Sequence, residues 1–136
     1  MPKAETELVV IEKAYALLVW SLNHIAKFPR NHRYGIGLRL EQRVHLILEL
    51  LLAGKYSRER LPLLQQANLE LELLRFQFRL VKDVKCLSLE SYGSAARFVN
   101  EIGKLVGGWI KQSGTKPPAS AASPLEIRVK KSAGTR

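Results

Sequence analysis

A chain of 136 residues with 22 Lys and Arg against 12 Asp and Glu carries a formal charge of +10, which suits one domain with an anionic partner. The single cysteine, Cys86, excludes an intrachain disulfide, fits a reducing cytoplasm and reads as a small, semi-buried apolar residue. The polar opening Met1-Pro2-Lys3-Ala4-Glu5-Thr6-Glu7 is not a signal peptide, and no apolar run approaches the length expected of a membrane span.

Four amphipathic helices are expected. The first runs from about Ala4 to Lys27, with Leu8, Ile11, Tyr15, Leu18, Leu22 and Ile25 as an a/d seam. Pro29 stops it, because the residue before a proline is pushed out of the helical region. A short basic connection, Phe28 to Arg33, leads to a second helix from about Tyr34 to Ala53. Its stripe is Leu40, Val44, Ile47 and Leu51, widened by Leu48 and Leu52, and Gly54 is placed to take a left-handed conformation just past its end. The third helix begins between Arg58 and Pro62, the proline being tolerated in a first turn. Leu64, Leu71, Leu74, Phe78 and Val81 carry its seam to about Cys86. Ser88 is the expected N-cap of the fourth helix, with Glu90 near the positive end of its dipole. Tyr92, Ala95, Val99, Ile102, Val106 and Trp109 form its seam, which ends near Gln112.

From Ser113 onward Gly, Pro, Ser and Ala dominate, so residues 113–136 read as a flexible basic tail on a 1–112 domain. Four helices with short connections and seams of similar length predict an all-α, antiparallel up-down four-helix bundle. Residues 1–111 hold 17 basic and 11 acidic side chains, so the positive balance lies in the body as well as the tail. Nucleic acid is the first partner class this suggests, a membrane surface the second; an incidentally basic surface is the bland alternative.

Catalytic and metal chemistry find no foothold. His24, His32 and His45 are scattered, with no ligand pair at i, i+4 and no second cysteine to join them. No nucleophile has a visible base. Gly35-Ile36-Gly37 opens a helix without a preceding strand or a Walker lysine, so it is taken as permitting tight backbone geometry. No catalytic residue, metal or cofactor is expected.

The basic residues are better organised. Arg75, Arg79 and Lys82 share a face of the third helix, and Arg97, Lys104 and Lys111 recur every seven residues on the fourth. Arg39 and Arg43 lie on the second helix, and Arg30 and Arg33 in the connection before it. Each stripe alone looks like a solvated face, and Glu72 and Glu101 share two of them. Together they suit phosphate neutralisation; no aromatic platform interleaves with them, so base reading is not indicated. An enzyme gripping an anionic substrate inside the bundle would need buried, converging cations, whereas these stripes fall opposite the seams. A second surplus is apolar: Val10, Leu17 and Trp20 lie off the seam of the first helix, and Leu63, Leu73, Phe76 and Leu80 off that of the third. Either they fatten the core or they bury against other copies of the chain, and the second is expected.

Two motifs carry a resemblance. Phe28-Pro29-Arg30-Asn31-His32-Arg33-Tyr34-Gly35-Ile36-Gly37 is one; Tyr92 followed by Glu101-Ile102-Gly103-Lys104-Leu105-Val106-Gly107-Gly108-Trp109 is the other. Over roughly residues 8–111 the chain resembles the accessory variability determinant (Avd) family of diversity-generating retroelements. That resemblance implies a barrel-shaped homopentamer of four-helix bundles and a non-enzymatic partner of the retroelement's reverse transcriptase. It also implies binding of template RNA or cDNA with little sequence preference, in support of adenine-directed mutagenic cDNA synthesis. The sister group, encoded in intervening sequences of ribosomal RNA genes, supplies the alternative: a bundle scaffold without a nucleic-acid role. Independently of the resemblance, Gly107-Gly108 lets another backbone approach, at about 1 kcal/mol each against alanine.

Overall fold

A computed structural model of the chain describes residues 3–114. Four long helices and one single turn occur there, with no strand among the described residues. They are α1 (Lys3–Ile25), α2 (Arg30–Arg33), α3 (Ile36–Tyr56), α4 (Arg60–Asp83) and α5 (Leu89–Gly114). Most of the expected tail, residues 115–136, lies outside the described residues, and α5 runs two residues past the expected end at Gln112.

The long helices occupy the corners of a square. α3 packs on α1 and α4, and α5 packs on α4 and α1, so α1 lies diagonal to α4 and α3 to α5. Short connections make sequence neighbours antiparallel. The near end of the bundle therefore holds the starts of α1 and α4. There the Arg60 guanidinium meets the buried Glu7 carboxylate at 3.1 Å. Halfway along the α3/α4 seam, Arg43 pairs with the buried Glu70, donates to Gln77 at 2.8 Å, and shares Glu70 with the Gln66 amide at 2.9 Å. A buried carboxylate without its partner is costly, so losing Arg60 or Arg43 would leave Glu7 or Glu70 as a stranded charge.

The core matches expectation on α5, where Ala95, Val99, Ile102, Val106 and Trp109 are buried, and on most of α3 and α4. On α1 it does not. The buried face is Val10, Ile11, Ala14, Leu17, Leu18 and Ile25, with Ser21 among them, while Leu8, Tyr15 and Leu22 are 52%, 55% and 38% exposed. Two apolar stripes run side by side along this helix. The core stripe passes through Ala14 and Ser21, small residues that let neighbours approach but add little hydrophobic signal. Counting large residues therefore favours the outer stripe. Val10 and Leu17, expected between copies, belong to the subunit core instead.

Gly54 is also reassigned. α3 continues through it to Tyr56, and Gly54 is buried. A Cβ there would lie 3.1 Å from Leu64 Cδ2 and 3.9 Å from the Trp109 ring, so glycine is required for close approach of α4 and α5, not for a left-handed stop. At Gly37 a Cβ would meet Ile25 and the His32 carbonyl at 3.1 and 3.2 Å, which accounts for the tight start of α3. The remaining caps follow expectation. Pro62 sits in the first turn of α4, and the Ser91 N–H donates to Ser88 Oγ at 3.0 Å. α4 ends in a Schellman motif: Cys86 N–H bonds the Val81 carbonyl at 2.8 Å and Lys85 N–H the Lys82 carbonyl at 2.9 Å. Lys85 takes the left-handed position, φ 68°, that glycine usually fills.

One further correction concerns hydropathy. Glu5–Ile25 is long and apolar enough, by length and composition, to cross a membrane. Its apolarity is the sum of the two stripes just described, and a core helix of a bundle passes the same test.

Candidate nucleic-acid interface

The α4 basic stripe borders the α4/α5 seam, and the α5 stripe lies on the outer face of its own helix. α4 turns Arg75, Arg79 and Lys82 toward α5 because its core face is the Leu71–Leu74–Phe78–Val81 stripe one step around the helix. Arg75 crosses the seam: Nη1 donates to Asn100 Oδ1, Nε donates to Glu72 at 3.2 Å, and Nη2 would stand 3.3 Å from a Cβ at Gly103. Gly103 thus gives the guanidinium room to lie flat on α5. Lys82 crosses the same seam, with Nζ 4.7 Å from the Tyr92 ring centroid. Asp83 is shared by Lys82 at 3.3 Å and Arg79 at 4.0 Å.

On α5, Arg97, Lys104 and Lys111 are exposed opposite the core face. Arg97 donates to Ser94 Oγ at 3.1 Å, a neutral acceptor. Lys104 and Lys111 form no ion pair among the described residues. Glu101, the acidic residue that shares their surroundings, is taken by Lys13 of α1 at 3.1 Å. Three of these six cations border the α4/α5 seam and three stand on the outer face of α5; among the described residues the carboxylates that touch them are Glu72 and Asp83.

The other four candidates lie elsewhere. Arg39 and Arg43 face the opposite flank of α4, in the α3/α4 groove with Ile36, Leu73, Phe76 and Leu80. Arg39 is exposed, whereas Arg43 is committed to Glu70 and Gln77. Arg30 is exposed on the single turn α2 at the far end. Arg33 is half-buried there, with Nη2 donating to the Phe28 carbonyl at 3.3 Å.

The geometry adds residues that stripe counting on single helices misses. An open groove of about 570 Å³ between α1 and α5 is lined by Trp20, Ser94, Arg97, Phe98, Asn100, Glu101 and Lys104. Trp20, read from sequence as an inter-copy residue, packs here on Phe78 and Phe98 at centroid distances of 6.0 and 6.1 Å. The signal was present as Trp20–His24 and Ser94–Phe98–Glu101, side chains at helical spacing beside the seams.

The apolar surplus is redistributed. Leu73, Phe76 and Leu80 are exposed as expected, joined by Leu69 at i, i+4, i+7 and i+11 spacing, while Leu63 is half-buried. On α1 the exposed stripe is Leu8, Tyr15, Val19 and Leu22. The two stripes belong to diagonal helices, α1 and α4. Gly107 and Gly108 are exposed with nothing within 4 Å of an added Cβ, so no backbone approaches them within the subunit.

Among the described residues no three of His, Cys, Asp and Glu converge as metal ligands. Burial pushes the Cys86 thiol up from its ordinary range. A family model described as bAvd-like matches residues 8–113. No curated protein and no solved structure matches the chain.

Proposed function

The chain belongs to the bAvd-like family, and on that premise we propose that it is the non-enzymatic accessory protein of a diversity-generating retroelement. In this reading it works in the cytoplasm. It binds RNA or DNA with little sequence preference, engages the element's reverse transcriptase, and so supports mutagenic cDNA synthesis. The observation that carries the reading is the pair of basic stripes on α4 and α5, where Arg75, Arg79, Lys82, Arg97, Lys104 and Lys111 outnumber the carboxylates that touch them among the described residues. Phosphate contacts made by such a face carry no base information. Arg30, Arg33 and Arg39 extend the positive surface at the far end and along α3; Arg43 serves chiefly the bundle.

The active form in this proposal is a homopentameric ring. Two different apolar stripes on opposite corners favour a heterologous, head-to-tail contact, α1 of one copy on α4 of the next, and such contacts close into rings when the rotation permits. The basic corner at α5 then repeats with each copy, so weak phosphate contacts sum.

The test is the triple charge reversal Arg75→Glu, Arg79→Glu, Lys82→Glu. Binding of the unaltered protein should fall with salt by about 0.9 log units of affinity per phosphate contact for each log unit of salt on duplex DNA. The triple variant should keep its oligomeric mass and lose affinity and slope for nucleic acid, or lose the transcriptase. If both interactions survive at full strength, the flank is a solvated face. The scaffold reading without a nucleic-acid role then gains ground.

A further inference from the structure

Resting on the nucleic-acid reading above, we propose that the α1/α5 groove seats one unpaired nucleotide of a single strand. Its base would lie against Trp20 and Phe98, and its phosphate on Arg97 and Lys104. The groove's volume of about 570 Å³ falls in the range of small-molecule sites. Its aromatic wall is held in place: the Trp20 and His24 rings stack at 3.8 Å, and the His24 Nδ1 bonds the Trp20 carbonyl at 2.9 Å. Phe98 and Phe78 brace the same indole. A fixed aromatic surface loses little freedom when a base packs on it.

The charges point the same way. Among the described residues Lys13 neutralises Glu101, Arg97 bonds only the neutral Ser94 and Lys104 has no partner, so two cations are left uncompensated at the groove. Asn100 gives its oxygen to Arg75, which leaves its NH₂ for an acceptor on the ligand. An aromatic surface beside uncompensated cations is the arrangement by which proteins hold unpaired bases without reading them. A duplex keeps its bases stacked inside and presents only phosphates. This inference therefore separates strand states that the basic flank alone treats alike.

Trp109 is fully buried at the near end, so a change in tryptophan emission on adding nucleic acid reports Trp20. The full-length protein is titrated at low salt with ten-residue oligo-dT, oligo-U, an abasic sugar-phosphate oligomer of equal charge, and a ten-base-pair duplex. Oligo-dT and oligo-U should quench the emission and bind roughly five-fold or more tightly than the abasic oligomer. Their ratio reports any preference between DNA and RNA. Trp20→Leu and Phe98→Leu should each draw the base-dependent ratio toward one while leaving abasic affinity unchanged. Circular dichroism verifies folding, and Phe98→Leu keeps the test open should Trp20→Leu unfold. Equal affinity for oligo-dT and the abasic oligomer, without quenching, overturns the nucleotide seat and leaves phosphate binding by the basic flank standing. If no probe binds at all, both readings fall together.

Discussion

Phe76 offers the sharpest test of assembly. Its side chain is 66% exposed on the isolated subunit, in the middle of the Leu69–Leu73–Phe76–Leu80 stripe. Burying a whole phenylalanine contributes up to about 3 kcal/mol, so covering the exposed two thirds in a subunit contact is worth about 2 kcal/mol. Phe76→Ala should raise the dissociation constant of each contact about thirty-fold, and a five-contact ring should lose about 10 kcal/mol. The fold of the subunit should be untouched, because the α4 core face is Leu64, Leu71, Leu74, Phe78 and Val81. Light scattering across micromolar to nanomolar concentrations is the assay. The variant should dissociate at concentrations where the unaltered protein stays assembled, and its melting temperature should depend more strongly on concentration. Two results refute the reasoning: an unchanged mass across that range, which places the interface elsewhere, or a monomer already in the unaltered protein.

Other expectations follow from single contacts. Arg43→Ala leaves the buried Glu70 carboxylate unpaired and should cost about 3 kcal/mol in denaturant titration, while Arg43→Met with Glu70→Leu should recover most of that. Neither change should alter the salt slope of nucleic-acid binding, since Arg43 is committed to the bundle. Gly54→Leu should destabilise by about 3 kcal/mol, because the added side chain meets Leu64 and Trp109; a melting temperature at or above the unaltered value would show that the site is roomier than described. Lys85→Gly should stabilise by about 0.5–1 kcal/mol, visible as a rise of a few degrees, because it relieves a left-handed backbone at a non-glycine residue. The Cys86 thiol, raised by desolvation, should react with a disulfide reagent more slowly than an unburied peptide thiol at neutral pH. Its rate should climb as pH rises, because the thiolate forms later; equal rates at neutral pH would contradict the shift.

Much of the fold is written in local signals. Ser88 as N-cap, Pro62 in a first turn and the α5 seam each depend on residues within a turn or two of one another, and each was legible. The buried face of α1 is not legible from its large side chains, because burial is decided by where α3 and α5 stand. Ala14 and Ser21 are buried for their size. Gly54 shows the same difficulty in reverse. A glycine near a helix end suggests a stop, and only the placement of Leu64 and Trp109 reveals the close approach. The α4 and α5 basic stripes are legible as periodicities, but the reach of Arg75 across the seam to Asn100 and the silencing of Arg43 by a glutamate on another helix are not. The aromatic groove joins Trp20 to Phe98 across most of the chain, so no window of sequence contains it.

The square arrangement also bears on how the protein folds and breathes. The α3/α4 and α4/α5 seams join helices adjacent in sequence and can zip as hairpins, at little loop-closure cost. The α1/α5 seam joins the first helix to the last and is the thinner of the two that hold α1. It forms only after the rest has collapsed and is the seam best placed to part first. Amide exchange in α1 should therefore proceed at a lower opening free energy than in α3 and α4. The Trp20–Phe98 groove lies on that seam, so whatever bridges it would slow the exchange of an entire helix.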